Sequence, residues 1–449
     1  MSAIVHAPPE ILDLIFTVYI AQFTDHWARV FARRRLLSLV CRKWKHIVYK
    51  SNRHWTYLPV FLFTSPAFIN FSLKQTGNAD LFIVLDTIII HRVDPGGPAS
   101  VKVVCASLIS FLQSLQDELA PYAHRIRRLH IQNYTTPELS RLSDILFGWT
   151  FGTLQQASYV TVRYGPPLHP VQRLLSHAPR LRRLTFTGFA PSCVAAAYSS
   201  GSIAPFQSLT TLVLEDVGAH TPVLWTDVRE LLSIMGALRA LKLDGAVWTS
   251  SDAGLIATLP SLVDLEVRGR SNRTFKTLPL LSAPNLRTLH TDSFCSLATF
   301  TENAAHLLPP CTRLDLAASD ISCAALATLF ILARDVEILD LRRCRGPFLT
   351  SILTALTNEC LCNMHTVVIN DTEGEDSISA VLTAMNSRLS SGDARVVVPM
   401  RTSAGDEALC VLDTEWKLVG GRCSSCVIEG PPQPSWGGGP GYVHSDGLL

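Results

Sequence analysis

A short apolar pattern that returns at a near-constant interval is the feature that most limits how this chain can fold. The pattern is Leu-x-x-Leu-x-Leu, with drift. It reads Leu181, Leu184, Phe186; then Leu209, Leu212, Leu214; then Leu238, Leu241, Leu243; then Leu262, Leu265, Val267. It continues as Leu286, Leu289, Thr291; a weaker Leu314, Leu316; Val336, Leu339, Leu341; and Met364, Val367, Ile369. The middle anchors stand at 184, 212, 241, 265, 289, 314, 339 and 367, so the steps are 28, 29, 24, 24, 25, 25 and 28 residues. Two earlier pieces, Leu129-His130-Ile131 and Val160-Thr161-Val162, extend the series toward the N-terminus.

A step of about 20–29 residues is the period of leucine-rich repeats. Each Leu-x-Leu is then a short strand, with two side chains turned inward and the one between them turned out. Segments of helical period run between the strands. Val228, Leu231, Leu232 and Met235 stand at i, i+3, i+4 and i+7, as do Leu349, Ile352, Leu353 and Leu356. One strand–helix unit cannot bury its own apolar face, so the units must stack. The expected fold class is therefore α/β. An irregular solenoid runs over 126–428, with parallel strands on its concave face, helices on its convex face, and Pro179, Gly245, Pro260 and Pro284 at the joints. A parallel α/β sheet without curvature is the rival. The Asn or Cys usual three residues after the last leucine is mostly missing: Cys344 fits, but Val217, Ala246 and Arg270 do not. The turns must satisfy their hydrogen bonds in another way.

Side chains between and just after the paired apolar positions are expected on the concave face. They are Thr185, Thr187, Glu215, Lys242, Asp244, Glu266, Arg268, His290, Asp292, Asp315, Asp340, Arg342 and Asn370. Lys242, Asp244, Glu266, Arg268, His290, Asp292, Asp315, Asp340 and Arg342 are the candidates for gripping a target protein; a merely solvated face is the plain alternative. No arginine cluster here argues for a phosphorylated target.

The first sixty residues differ from the repeats. Pro8-Pro9-Glu10 reads as a helix start with an acidic first turn, followed by the apolar pairs Ile11/Ile15 and Leu12/Phe16. A second helix is expected over about 36–50, with Leu37, Val40, Cys41, Trp44, Ile47 and Val48 on one face. That much apolar surface either packs on the first repeats or docks another chain.

The segment Ala7-Pro8-Pro9-Glu10-Ile11-Leu12-Asp13-Leu14-Ile15-Phe16 closely resembles the opening of an F-box. Leu36-Leu37-Ser38-Leu39-Val40-Cys41-Arg42-Lys43-Trp44-Lys45-His46-Ile47-Val48 resembles its second half, and Trp55-Thr56-Tyr57-Leu58 its usual Leu-Trp ending. Ala7 and His54 stand where the family usually has Leu, and Thr17–Arg35 is longer than usual. Residues 73–85 are similar to a Leu-x-x-Ser-Gly-Asn-x-Pro-Leu element that follows the F-box in many fungal, notably basidiomycete, F-box proteins. Residues 120–131 resemble that group's entry into its repeats. The resemblance implies a helical F-box over 1–60, a linker and solenoid entry over 61–125, and the repeats beyond. It implies docking on the Skp adaptor of a Skp–cullin–F-box ubiquitin ligase, with the repeats holding the target. Pro8, Pro9, Ile11, Leu12, Ile15, Phe16, Leu37, Val40, Cys41 and Trp44 would meet the adaptor. A scaffold or sequestering protein acting without a ligase is the alternative.

Composition excludes several other classes. Of 449 residues 47% are apolar and 17% charged, so the chain is globular, and a net charge of +2 gives no argument for nucleic acid. Twelve cysteines are too sparse for a disulfide scaffold, which points to a cytoplasmic or nuclear setting. The richest apolar run, Leu81 to Ile90, is broken by Asp86 and too short to span a membrane, and Glu10 and Asp13 interrupt any signal-like stretch. Basic residues around the second helix (Arg29, Arg33, Arg34, Arg35, Arg42, Lys43, Lys45, Lys50 and Arg53) read as a solvated face, a nuclear signal or a steering patch for an acidic partner. No phosphate loop, nucleophile elbow or His-Glu-x-x-His occurs, and Cys423/Cys426 lacks a second pair at zinc spacing. No catalysis, cofactor or metal is expected. From 429 on, glycine and proline predict a flexible tail, after an amphipathic helix over 378–389 and strands near 396–398 and 408–412.

Overall fold

Pro9 at the first helical position, where a missing N–H is harmless, and Glu10 at the positive end start helix α1 (Pro9–Ala21) in the computed structural model of the chain. The structure describes residues 7–21, 27–61, 64–86, 111, 113–134, 146, 149–161, 178–188, 204–216, 223–245, 248–249, 256–268, 281–291, 311–316, 335–341, 364–368, 395–401, 407–412, 418–419, 422–423 and 427–429. It has two compact units. One comprises Met1–Phe189, Ala196–Ser208 and Trp436–Leu449, the other Ala190–Ala195 and Leu209–Ser435.

In the first unit α1 is followed by α2 (Trp27–Val40) and α3 (Arg42–Lys50). The single helix expected over about 36–50 is thus corrected to two. The chain breaks at Cys41, which is extended at φ −161° and accepts the Trp44 N–H on its Sγ at 3.5 Å, capping α3. Leu37 is buried and Val40, the last residue of α2, is exposed, although spacing alone put them on one face. Leu12, Phe16, Ile20, Val30, Leu37, Ile47 and Val48 close one core with Tyr57 and Val84, and Trp44 packs against it at 4.7 Å from the Phe16 ring.

Tyr57 and Val84 belong to strands β1 (Tyr57–Phe61) and β2 (Leu81–Asp86), joined through α4 (Pro66–Thr76). These continue in parallel order into β3 (Ile126–Tyr134), β4 (Gln156–Thr161) and β5 (Arg183–Thr187). The sheet therefore begins inside the segment expected to be all helix. The stretch expected as linker and entry supplies α4 and β2, and the three helices share their core with strand side chains.

In the second unit β6 (Thr211–Glu215), β7 (Ala240–Asp244), β8 (Asp264–Arg268) and β9 (Thr288–Thr291) pair in parallel sequence. β10 (Arg313–Leu316), β11 (Ile338–Asp340), β12 (Thr366–Val368) and β13 (Arg395–Arg401) extend the order in the same direction. β14 (Glu407–Leu412) and β15 (Val427–Glu429) add antiparallel. This is a leucine-rich-repeat arrangement. The paired leucines, from Leu212 and Leu214 through Leu339, are buried, each contributing about 2 kcal/mol of apolar burial.

The 29-residue step from 212 to 241 holds α5 (Trp225–Ser233), with Val228, Leu231, Leu232 and Met235 buried. The described part of the 24-residue step from 241 to 265 holds the two-residue strands Trp248–Thr249 and Ala257–Thr258, the latter paired in parallel with Leu281–Ser282. The positions where the asparagine is missing, 217, 246 and 270, lie outside the described residues, and backbone bonds link the turns ahead of the strands. Ahead of each strand one carbonyl accepts two N–H groups of the next repeat: Arg239 O from Val263 and Asp264, Val263 O from Arg287 and Thr288, Arg287 O from Thr312 and Arg313. Thr312 O and Glu337 O repeat this with Glu337/Ile338 and His365/Thr366. After the strands, Gly188, Asp216 and Gly245 turn the chain at φ 76°, 52° and 61°. The Asp216 and Gly245 N–H groups bond to Asp244 O and Arg268 O. The helices expected near 349–356 and 378–389 and the tail lie outside the described residues. Among the described residues no helix is long and apolar enough to cross a membrane.

Candidate functional site

Helix α1 carries apolar side chains all round, and the fold uses only one side of them. Leu12, Phe16 and Ile20 point into the core. The opposite side presents Ile11, Leu14, Ile15 and Val18 to solvent, 41–53% exposed, at i, i+3, i+4 and i+7. α2 adds Leu36, Leu39 and Val40 at 55–70% exposure. A soluble helix ordinarily turns such a stripe inward, so an outward stripe of branched side chains marks a surface that another molecule covers.

The residues expected to meet an adaptor divide accordingly. Ile11, Ile15 and Val40 lie in the exposed stripe, with Pro8 and Pro9 exposed at the start of α1. Leu12, Phe16 and Leu37 are instead turned inward and hold the helices together. Cys41 and Trp44 are half-buried, one capping α3 and the other packed on Phe16. Leu14, Val18, Leu36 and Leu39 were not singled out by the sequence reading. Their i, i+3, i+4, i+7 relation to Ile11 was present in the sequence, but a helix apolar on every side does not reveal which stripe the core takes.

Polar groups inside the helices fix α1 in place. His54 is buried with its Nε2 3.2 Å from Asp13 Oδ1 on α1. Burial lowers the imidazole pKa below 6.5; Asp13 opposes that shift and Arg34 adds to it. Arg34, also buried, donates from Nη2 to the Tyr57 carbonyl at 2.6 Å and lies 5.3 Å from the Trp55 ring. Burial brings its pKa down to about 10, so it stays charged.

The second candidate surface is the strand face of the repeats. In register across the strands stand Val213, Lys242, Glu266, His290, Asp315, Asp340 and Val368. Lys242 Nζ reaches Glu215 at 3.0 Å and Asp244 at 3.6 Å. Arg268 pairs with Glu266, His290 Nδ1 lies 2.7 Å from Asp315 Oδ2, and Arg313 pairs with Asp340. Lys242, Glu266, His290, Asp315 and Asp340 are buried, which corrects the expectation that the side chain between the leucines is solvated. Strands about 4.8 Å apart press this row together, and the Arg268 and Arg313 arms close over two of its carboxylates. Ionisable side chains so placed are tolerated because each has a polar partner. Glu215, Asp244, Arg268 and Arg313 remain half-exposed on either side of the buried row, so they are the members a partner would touch. Thr185 is half-buried and Thr187 buried. Asp292, Arg342 and Asn370 lie outside the described residues, as does Cys426; Cys423 stands in a two-residue strand.

No protein-family model and no curated protein matches the chain. Among solved structures it is similar to the leucine-rich repeat-containing protein LegL7 from Legionella pneumophila. Identity is 15%, over 70% of this chain and 90% of that one, with a TM-score of 0.37, a superposition too loose to bear on function.

Proposed function

We propose that the chain is a non-catalytic substrate-recognition subunit. Its N-terminal helices dock on a Skp-type adaptor and through it on a cullin ubiquitin ligase, while the repeat strands hold a target protein. The observation that carries this reading is the outward apolar stripe of α1 and α2 on an otherwise well-packed helical group. It falls where the F-box resemblance lies, and the half-exposed charges on the strand face supply directional contacts for a target. Each stripe residue is already partly covered and offers about 1 kcal/mol on full burial, which together offset much of the roughly 4–15 kcal/mol that association costs. The role belongs to a cytoplasmic or nuclear setting.

Removing the N-terminal helices is a poor test, because Tyr57 and Val84 would lose their core. Paired surface substitutions are cleaner. In the full chain Ile15→Glu with Leu39→Glu should stop ligase-dependent turnover of a bound target while target binding persists. Unchanged turnover with a folded variant would rule out docking through this stripe.

A further inference from the structure

Whatever covers the stripe must also meet its charge. From Trp27 to Ala79 the chain contains neither Asp nor Glu, yet carries Arg and Lys repeatedly, within a protein whose 39 basic and 37 acidic residues nearly balance. Two of these cations are fixed at the ends of α1. Lys43 Nζ donates to the Ala7 carbonyl at 2.8 Å, beside the first turn. Arg33 donates to the Tyr19 carbonyl at 2.7 Å and stacks 4.1 Å from the Tyr19 ring, beyond Val18. Arg35 and Arg42 are exposed, Arg35 next to Leu36 and Arg42 two residues after Val40 in the chain. Among the described residues none of Arg35, Arg42, Lys45, Lys50 and Arg53 has an acidic partner. The acids of α1 offset them little: Asp13 turns toward His54, which leaves only Glu10, exposed at the helix start, against these cations.

Resting on the docking reading above, we infer that the partner is a protein whose apolar contact strip is bordered by carboxylates, and that the cationic rim steers and orients it. Two copies of this face would set cation against cation, so the stripe is not a self-association surface. Lys43 and Arg33 are held by backbone carbonyls at set positions, which suits fixed carboxylates; a fluid layer of lipid headgroups needs no such placement. Steering of this kind raises the association rate and is screened by salt, whereas the apolar stripe governs dissociation.

The test is the association rate of the full chain with a Skp-type adaptor, by stopped flow at 50 and 500 mM NaCl, beside Arg42→Glu with Lys45→Glu. Both residues are exposed, and a carboxylate at the first position of α3 favours that helix, so the variant keeps its fold. The rate should fall about tenfold with salt. At low salt the variant should associate about tenfold more slowly with an unchanged dissociation rate, and at high salt the difference should vanish. Binding with no salt or variant dependence overturns the inference and leaves the docking reading standing. No binding by the folded chain at either salt overturns both. Capture by phosphatidylserine vesicles but not by the adaptor would make the partner a membrane, and overturns both as well.

Discussion

His54 fixes α1 to the segment entering the sheet through its buried imidazole, which meets both the carboxylate and the backbone carbonyl of Asp13. Its pKa lies below 6.5 in the folded chain and near 6.5 in the unfolded one. Between those values the unfolded state binds more protons, so this contribution to stability is complete above pH 6.5 and is lost as pH falls through the folded pKa. Urea unfolding at pH 7.5 and pH 5 should therefore show a loss of stability on acidification that is smaller in His54→Leu. An identical loss in both would contradict it. Gly245 makes a second demand at this scale. At φ 61° any side chain is strained, and a Cβ there would stand 2.7 Å from Asp216 Oδ1. Gly245→Ala should cost about 1–2 kcal/mol in the same measurement.

At the scale of elements, α1 is a helix with two apolar faces and two different tasks. Phe16→Ala removes a ring buried against Trp44 and should cost about 3–5 kcal/mol of stability. Ile15→Ala, one residue away on the outer stripe, should change stability by under about 0.5 kcal/mol. Thermal unfolding of the two variants checks the contrast, and equal losses would mean the stripe is part of the core. The sequence showed that a helix stood here but not which stripe it exposes, because hydrophobicity alone does not order two equally apolar faces. It also hid the break at Cys41. Cysteine is an uncommon cap, and the apolar spacing from Leu37 to Val48 runs through the break without a change of period.

At the scale of the whole molecule, the repeats were legible because each step imposes the same burial on the same positions. The weak Leu314/Leu316 and Val367 strands pair in the register that their spacing implies. The buried charge row was not legible. Lys242, His290, Asp315 and Asp340 find partners on neighbouring strands 25–27 residues away in sequence, and Glu266 pairs with Arg268 on its own strand, so little local in the sequence distinguishes the row from a solvated face. The parallel order beginning at Tyr57 was hidden for a similar reason: β1 and β2 meet across a helix and belong to no leucine repeat.

The central claim is that the outward stripe of α1 and α2 is a docking surface, and one comparison of affinities tests it most directly. Binding of a Skp-type adaptor by the full chain is measured by titration calorimetry, beside Ile15→Glu with Leu39→Glu, with circular dichroism showing both folded. The account predicts tight binding by the natural chain and a loss of at least about a hundredfold in the variant, equivalent to about 2.7 kcal/mol. Equal affinities, or no binding by the natural chain, would contradict it.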